Sequence, residues 1–192
     1  MNFLLLTHGA GGNRNAPLLV ALANAFAEHG VEVIRYDLPF RQDRPKGPPR
    51  PGDAARDREG LKQEIQKLRD KGAEQVWLGG QSYGGRQSSM LAAEEPGLVD
   101  RLLLLSYPLH APGKPDQLRT AHFPKLTMPV LFVHGSRDPF GTLEEMRSAI
   151  QLISSPVELM EAEGVGHDLG RKHAELARKI VEAFRTSGLR TS

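Results

Sequence analysis

A serine becomes a nucleophile only when a base takes its proton and an acid orients that base. Three short segments offer such groups in the order Ser, Asp, His. The first, Gly79-Gly80-Gln81-Ser82-Tyr83-Gly84-Gly85, contains Gly-x-Ser-x-Gly as Gly80, Ser82 and Gly84. In a turn of this kind the serine backbone is strained, and the residues two before and two after it approach so closely that side chains would clash. The second, His134-Gly135-Ser136-Arg137-Asp138-Pro139, offers Asp138 as the acid. The third, Gly164-Val165-Gly166-His167-Asp168-Leu169, offers His167 as the base. Rival acids are worse placed: Asp168 adjoins the histidine and would have to fold back, and Asp116 lies in an irregular stretch. Each residue also has a plainer reading: Ser82 as a helix cap, Asp138 as a turn carboxylate, His167 as a loop histidine packed under glycines. The order of the three, each just past an apolar run, favours acyl transfer through a serine ester.

That chemistry needs two backbone donors for the developing oxyanion, each contributing about 3 kcal/mol. One is expected at the amide of Tyr83, directly after the nucleophile. The other is expected in Thr7-His8-Gly9-Ala10-Gly11-Gly12-Asn13, a His-Gly-x-Gly loop whose small residues let backbone approach a substrate, with Ala10 the favoured amide. His8 is expected to brace this loop.

The elements that must hold these groups are legible as alternating patterns. Phe3 to Thr7, Val31 to Tyr36, Gln75 to Leu78, Arg101 to Ser106, Val130 to His134 and Val157 to Met160 read as strands, most of them continuously apolar, as strands covered on both faces are. Pro17 to His29, Arg56 to Lys71, Tyr83 to Glu95, Thr142 to Ile153 and Lys172 to Ser187 carry helical spacing. Such alternation predicts right-handed crossovers and one domain over 1–192: a three-layer α/β/α sandwich on a mostly parallel sheet of about six strands. In such sheets ligands meet the loops at the carboxyl ends of the strands, where Ser82, Asp138, His167 and the glycine loop all fall.

Two stretches break the rhythm. Arg41 to Arg58 is rich in Pro and Arg and reads as a long loop that cannot be helical until its end. It holds Asp43, Asp53 and Asp57 as well, so a solvated loop is the plain reading. It leaves the sheet at the active-site end, however, so Arg41 and Arg44 are candidates for reading a carboxylate or phosphate. Tyr107 to Met128, with four prolines, reads as too short and polar for a cap domain.

Composition bounds the rest. With 25 basic against 23 acidic residues the net charge is small, weak support for nucleic acid. Cysteine is absent, which removes disulfides, thiolate zinc sites and cysteine nucleophiles and suits a reducing compartment. The first residues lack a basic n-region and no apolar run nears eighteen residues, so the expectation is a soluble, cytoplasmic protein without membrane partners.

With these residues in hand the chain resembles the α/β-hydrolases along nearly its whole length, and within them the small lidless members near the dienelactone hydrolases. It is most similar to the testis-expressed and NSL-complex-subunit hydrolase-like group, through His8-Gly9-Ala10-Gly11-Gly12, Arg35-Tyr36-Asp37-Leu38-Pro39-Phe40-Arg41 and Gly84-Gly85-Arg86. The resemblance implies Ser82 as nucleophile, Asp138 as acid, His167 as base, and Ala10 and Tyr83 as oxyanion donors. It implies hydrolysis of a small ester or thioester without cofactor or metal. Two departures limit it: the superfamily's first two antiparallel strands are missing, and the dienelactone enzymes resemble a cysteine scheme, so their substrate does not carry over. Two other classes compete. A Rossmann reading takes Gly9-Ala10-Gly11-Gly12-Asn13-Arg14 as a phosphate turn and Asp37 as the ribose acid, but Arg14 stands where the last glycine belongs. A catalytically silent hydrolase fold used for protein binding would have no need of all three triad residues.

Overall fold

The computed structural model describes residues 1–187. Six strands, β1 (Asn2–Thr7), β2 (Val31–Tyr36), β3 (Gln75–Gln81), β4 (Arg101–Leu105), β5 (Val130–Gly135) and β6 (Val157–Ala162), form one all-parallel sheet in the order β2-β1-β3-β4-β5-β6. The chain runs outward from β1 to β2 and then returns to place β3 on the other side of β1. The carboxyl ends of β1 and β3 therefore flank the point where strand order reverses, where such sheets open a crevice.

Successive residues of a strand face opposite sides, so each inner strand feeds two cores. On one side Leu4, Leu6, Trp77, Leu103, Leu105, Leu131 and Val133 meet α1 (Pro17–Ala27) and α6 (His173–Thr186). Trp77, Phe26 and Phe184 interlock there, with Phe184 edge-on to both other rings at 5.6 and 5.1 Å between centroids. On the other side Phe3, Leu5, Val76, Leu78, Leu102, Leu104 and Phe132 meet α3 (Asp53–Asp70), α4 (Tyr83–Glu94) and α5 (Leu143–Ile150). This is the three-layer α/β/α arrangement that the alternation predicts. Thr142 and Glu145 close a reciprocal capping box that starts α5.

Of the two irregular stretches, the first differs from expectation and the second follows it. Arg41 to Asp43 are helical after all, inside a short helix α2 (Pro39–Asp43), because Pro39 stands in its first turn, where a missing N–H costs nothing. The helix expected from Arg56 starts at Asp53, just past Pro51 and Gly52. Between β4 and β5 lies a single 3₁₀ turn at Phe123–Lys125, and no cap domain is present among the described residues. Most large side chains of that stretch, Tyr107, Leu109, Phe123 and Leu126 among them, are buried in the core beneath, and Leu118 alone of its large apolar residues is exposed, too little to cover a cleft. No helix among the described residues is long and apolar enough to cross a membrane.

Candidate active site

The turn from β3 into α4 has the geometry its glycines foretell. Ser82 sits at φ 51°, ψ −116°, a region that costs a non-glycine residue about 1–3 kcal/mol. Its amide is pinned to the Leu105 carbonyl at 2.8 Å. A Cβ on Gly80 would lie 2.5 Å from the Gly84 carbonyl carbon, and one on Gly84 would run into the His8 carbonyl. The turn thus packs directly on the loop that follows β1.

Ser82 donates its hydroxyl proton to His167 Nε2 at 2.8 Å, and His167 Nδ1–H donates to Asp138 Oδ2 at 2.8 Å. The carboxylate accepts and cannot donate, so it fixes the tautomer: the proton is on Nδ1 and the lone pair faces the serine. Asp138 is itself held, its Oδ1 accepting from the Phe140 amide at 2.8 Å, and its side chain is fully buried. The three residues predicted from sequence are therefore brought together across loops following β3, β5 and β6. Phe140 was not foreseen: its ring stacks on the His167 imidazole with centroids 4.1 Å apart and 28° between planes, confining the base to one orientation. His134, at the end of β5, donates from Nε2 to the Gly141 carbonyl at 2.7 Å and so shapes the same acid-bearing loop.

The amides of Ala10 and Tyr83 donate to no acceptor among the described residues. Their direction follows from the planar peptide, in which C=O and N–H point opposite ways. The Gly9 carbonyl, partner of the Ala10 amide, accepts from His8 Nδ1 at 2.8 Å and from the Gly12 amide at 3.1 Å. The Ser82 carbonyl, partner of the Tyr83 amide, accepts from the Arg86 amide at 2.9 Å. His8 braces the loop as expected; its Nε2 accepts from the Leu38 amide at 3.2 Å, and burial pushes its pKa down, which keeps it neutral for both bonds. Asp37, considered above as a ribose acid, instead accepts from the Arg14 amide at 2.6 Å.

Arg41 and Arg44 are not where a substrate-reading role puts them. The buried Arg41 guanidinium donates to the carbonyls of Gly12 and Ala10, both at 2.8 Å, and to those of Arg44 and Gly47, both at 3.0 Å. Arg44 is paired with Asp53 at 2.5 Å. Neither lines the cleft that holds Ser82. A basic loop in sequence is thus an internal clamp: Arg41 fastens the glycine loop after β1 to the segment after β2. Sequence reasoning missed this because a guanidinium that ties up backbone carbonyls has no partner visible in residue type.

Tyr83 is anchored as well. Its hydroxyl donates to Asp57 Oδ2 at 2.7 Å, while Asp57 Oδ1 accepts from the Phe40 amide at 3.0 Å. Burial raises the pKa of Asp57 and of the Tyr83 phenol, which keeps the phenol protonated and donating. The cleft itself, about 420 Å³, is lined by Gly9 to Gly12, Ser82, Phe140, His167 and Asp168. A larger groove of about 540 Å³ lies between β6 and α6, but its lining contains no serine or histidine. Among the described residues no group of three or more His, Asp or Glu side chains is arranged to hold a metal ion.

Comparison with known proteins places this geometry in context. Residues 1–184 match the model of an alpha/beta hydrolase domain. The fold is similar to that of an alpha-beta serine hydrolase homologue from Coxiella burnetii (23% identity, TM-score 0.77, 94% of this chain and 83% of that one). It is also similar to a dienelactone hydrolase from Anabaena variabilis (19% identity, TM-score 0.76, 97% and 87%). A serine hydrolase without a lid from Xanthomonas campestris is a third such structure (17% identity, TM-score 0.73, 96% and 83%).

Proposed function

The chain belongs to the alpha/beta hydrolase family, and from that premise we propose that it is a serine hydrolase acting on small carboxylic esters or thioesters through an acyl-enzyme at Ser82. The observation that carries this reading is the unbroken chain of two 2.8 Å hydrogen bonds from Ser82 through His167 to the buried Asp138. His167 Nε2 takes the hydroxyl proton as Ser82 Oγ attacks the carbonyl carbon, and the carbonyl oxygen becomes an oxyanion received by the amides of Ala10 and Tyr83. The tetrahedral intermediate collapses, the bond to the leaving alcohol or thiol breaks, and His167 returns the proton to that leaving group. Water, deprotonated by the same nitrogen, then attacks the acyl-enzyme and releases the acid. Asp138 stabilises the imidazolium formed in both halves without itself taking the proton. Every step uses groups of the chain and water. The partly exposed His167 side chain and the uncovered cleft favour small acyl groups, which need no lid.

The test is labelling with a fluorophosphonate followed by peptide mapping, alongside turnover of 4-nitrophenyl acetate. Modification at Ser82 alone, lost together with turnover in Ser82→Ala, is the expected result. An unlabelled but folded protein would return the chain to the catalytically silent class, and labelling at another serine would overturn the triad assignment.

A further inference from the structure

Partly buried arginines in this fold are matched to internal acceptors: Arg44 to Asp53, Arg58 to Glu94 and Gln87, Arg69 to Asp100. Arg86 breaks the pattern. Its guanidinium donates to no acceptor among the described residues, and its Nε is fully buried without a partner. Arg119 has one long contact, 3.4 Å to the Pro108 carbonyl. The Ser106 hydroxyl is likewise buried and unpartnered. Burial of such groups is costly unless something accepts from them.

All three are carried by backbone tied to the nucleophile's helix or to the neighbouring strand end. Arg86 follows Ser82 by one helical turn, its amide bonded to the Ser82 carbonyl at 2.9 Å. Ser106 directly follows β4, the strand next to β3, turned by a positive φ of 47°, and the residue before it accepts from the Ser82 amide. Arg119 is tied to the same strand end, its amide donating to Leu109 at 2.8 Å and its carbonyl accepting from the Tyr107 hydroxyl at 2.6 Å. The oxyanion loop follows β1 on the other flank of β3. Strand order thus sets the oxyanion loop on the β1 side of Ser82 and the unpaired cationic donors on its β4 side, next to the residues that line the cleft rather than among them.

Resting on the serine-hydrolase reading above, we propose that Arg86, Arg119 and the Ser106 hydroxyl form a carboxylate-recognition subsite, so that the preferred substrate is a short ester carrying a carboxylate on its acyl chain. One helical turn spans about 5.4 Å, close to the separation of the two carboxyl carbons in an extended five-carbon diacid. A guanidinium with a free edge binds such a group through two parallel bonds. The surroundings supply no internal counter-charge. Burial lowers the pKa of Arg119, and the nearby Arg86 charge lowers it further. His122, next in the cluster, is pushed down to about 4 by burial and then by Arg86, so it is neutral. Its Nε2–H is spent on Ser89 Oγ at 2.8 Å, whose own proton goes to the Arg86 carbonyl at 3.0 Å, which excludes a second serine–histidine nucleophile there.

The experiment compares kcat/KM for mono-4-nitrophenyl glutarate and 4-nitrophenyl butyrate in wild type, Arg86→Gln, Arg86→Lys and Arg119→Gln. Wild type should favour the charged ester. That ratio should fall about ten- to hundredfold in Arg86→Gln, the loss of a charge-assisted hydrogen bond, with Arg86→Lys intermediate and Arg119→Gln also reduced. A ratio unchanged within about twofold, or equal losses on both esters, overturns the subsite. Glutarate binding to Ser82→Ala, followed by calorimetry at two salt concentrations, separates the two readings. Arg86-dependent, salt-sensitive binding in a protein that takes no fluorophosphonate would keep the subsite and remove the hydrolase. Labelling at Ser82 with no glutarate binding would do the reverse.

Discussion

Removing the Arg41 side chain should damage catalysis more than binding, although Arg41 touches no reacting atom. It is 6% exposed and fixes four carbonyls, of which those of Ala10 and Gly12 belong to the oxyanion loop. The Ala10 amide is aimed by the peptide plane before it, which His8 and Gly12 hold through the Gly9 carbonyl; Arg41 holds the peptide plane after it. In Arg41→Ala the second anchor is lost and the loop carbonyls turn toward water. Losing one oxyanion donor outright costs about 10²–10³ in kcat, so a donor left in place but freed to rotate should cost about 10–100-fold. The effect should fall on kcat with KM for a short neutral ester little changed, since the donor acts on charge that develops only in the transition state. Four charge-assisted bonds are lost to carbonyls that can rehydrate, so stability should fall by about 2–4 kcal/mol. Arg41→Lys should rescue little, because one ammonium cannot serve carbonyls in several directions. The assay is steady-state hydrolysis of 4-nitrophenyl acetate, the rate of fluorophosphonate labelling and urea unfolding of each variant. A folded Arg41→Ala protein with kcat within about twofold of wild type would refute the clamp. So would a KM effect confined to acidic esters, which would mean that Arg41 contacts substrate.

Asp138→Asn should leave the protein folded but cut kcat by about 10⁴-fold, because an amide NH₂ facing Nδ1 turns the Nε2 proton toward Ser82; a loss below about tenfold would mean the acid is elsewhere. With Tyr107, Leu109 and Phe123 turned into the core, turnover of 4-nitrophenyl esters should peak at two to four acyl carbons and show no jump at a lipid interface, and a preference for long chains would contradict this. His122 has a folded pKa of about 4 against an ordinary 6.5, so the unfolded chain binds the proton first and stability falls as pH drops from 6.5 to 4. The full shift corresponds to roughly 3 kcal/mol, which solvent at the exposed part of the ring reduces to about 1–2 kcal/mol. Urea midpoints of wild type should therefore decline across that window and those of His122→Gln much less; parallel curves would dispose of the idea.

The elements and the grouping of Ser82, His167 and Asp138 are readable because each leaves a local signature. Apolar runs in doubly covered strands, glycines at 80 and 84 where side chains would collide, and acid and base just past strand ends all follow from short-range sterics or periodicity. What stayed hidden depends on partners distant in sequence. Arg41 looked like a surface arginine because its acceptors are backbone carbonyls 29 and 31 positions away. The pairing of Arg44 with Asp53 and the bond between Asp57 and Tyr83 are likewise invisible to residue type alone. The helix at Pro39 is hidden because Arg41 to Asp43 read together with the proline-rich segment that follows them, whereas Pro39 in the first turn starts a helix that ends at Asp43. Phe140 carries no signal beyond lying two residues after the acid.

The sequence separations inside the triad bear on when the protein becomes reactive. His167 reaches Asp138 across 29 positions and Ser82 across 85, and the helix after it docks on α1 through Phe184 and Phe26. As the chain leaves the ribosome, the nucleophile emerges long before its base, and no local segment can assemble the pair. Parallel strands closed over such distances form late, after the entropy of long loops has been overcome. Esterase activity would then be the last property to appear on refolding, rising with the final docking of α6 rather than with the early gain of helix. A partly folded chain, sticky with exposed strands, would carry a serine that is chemically inert.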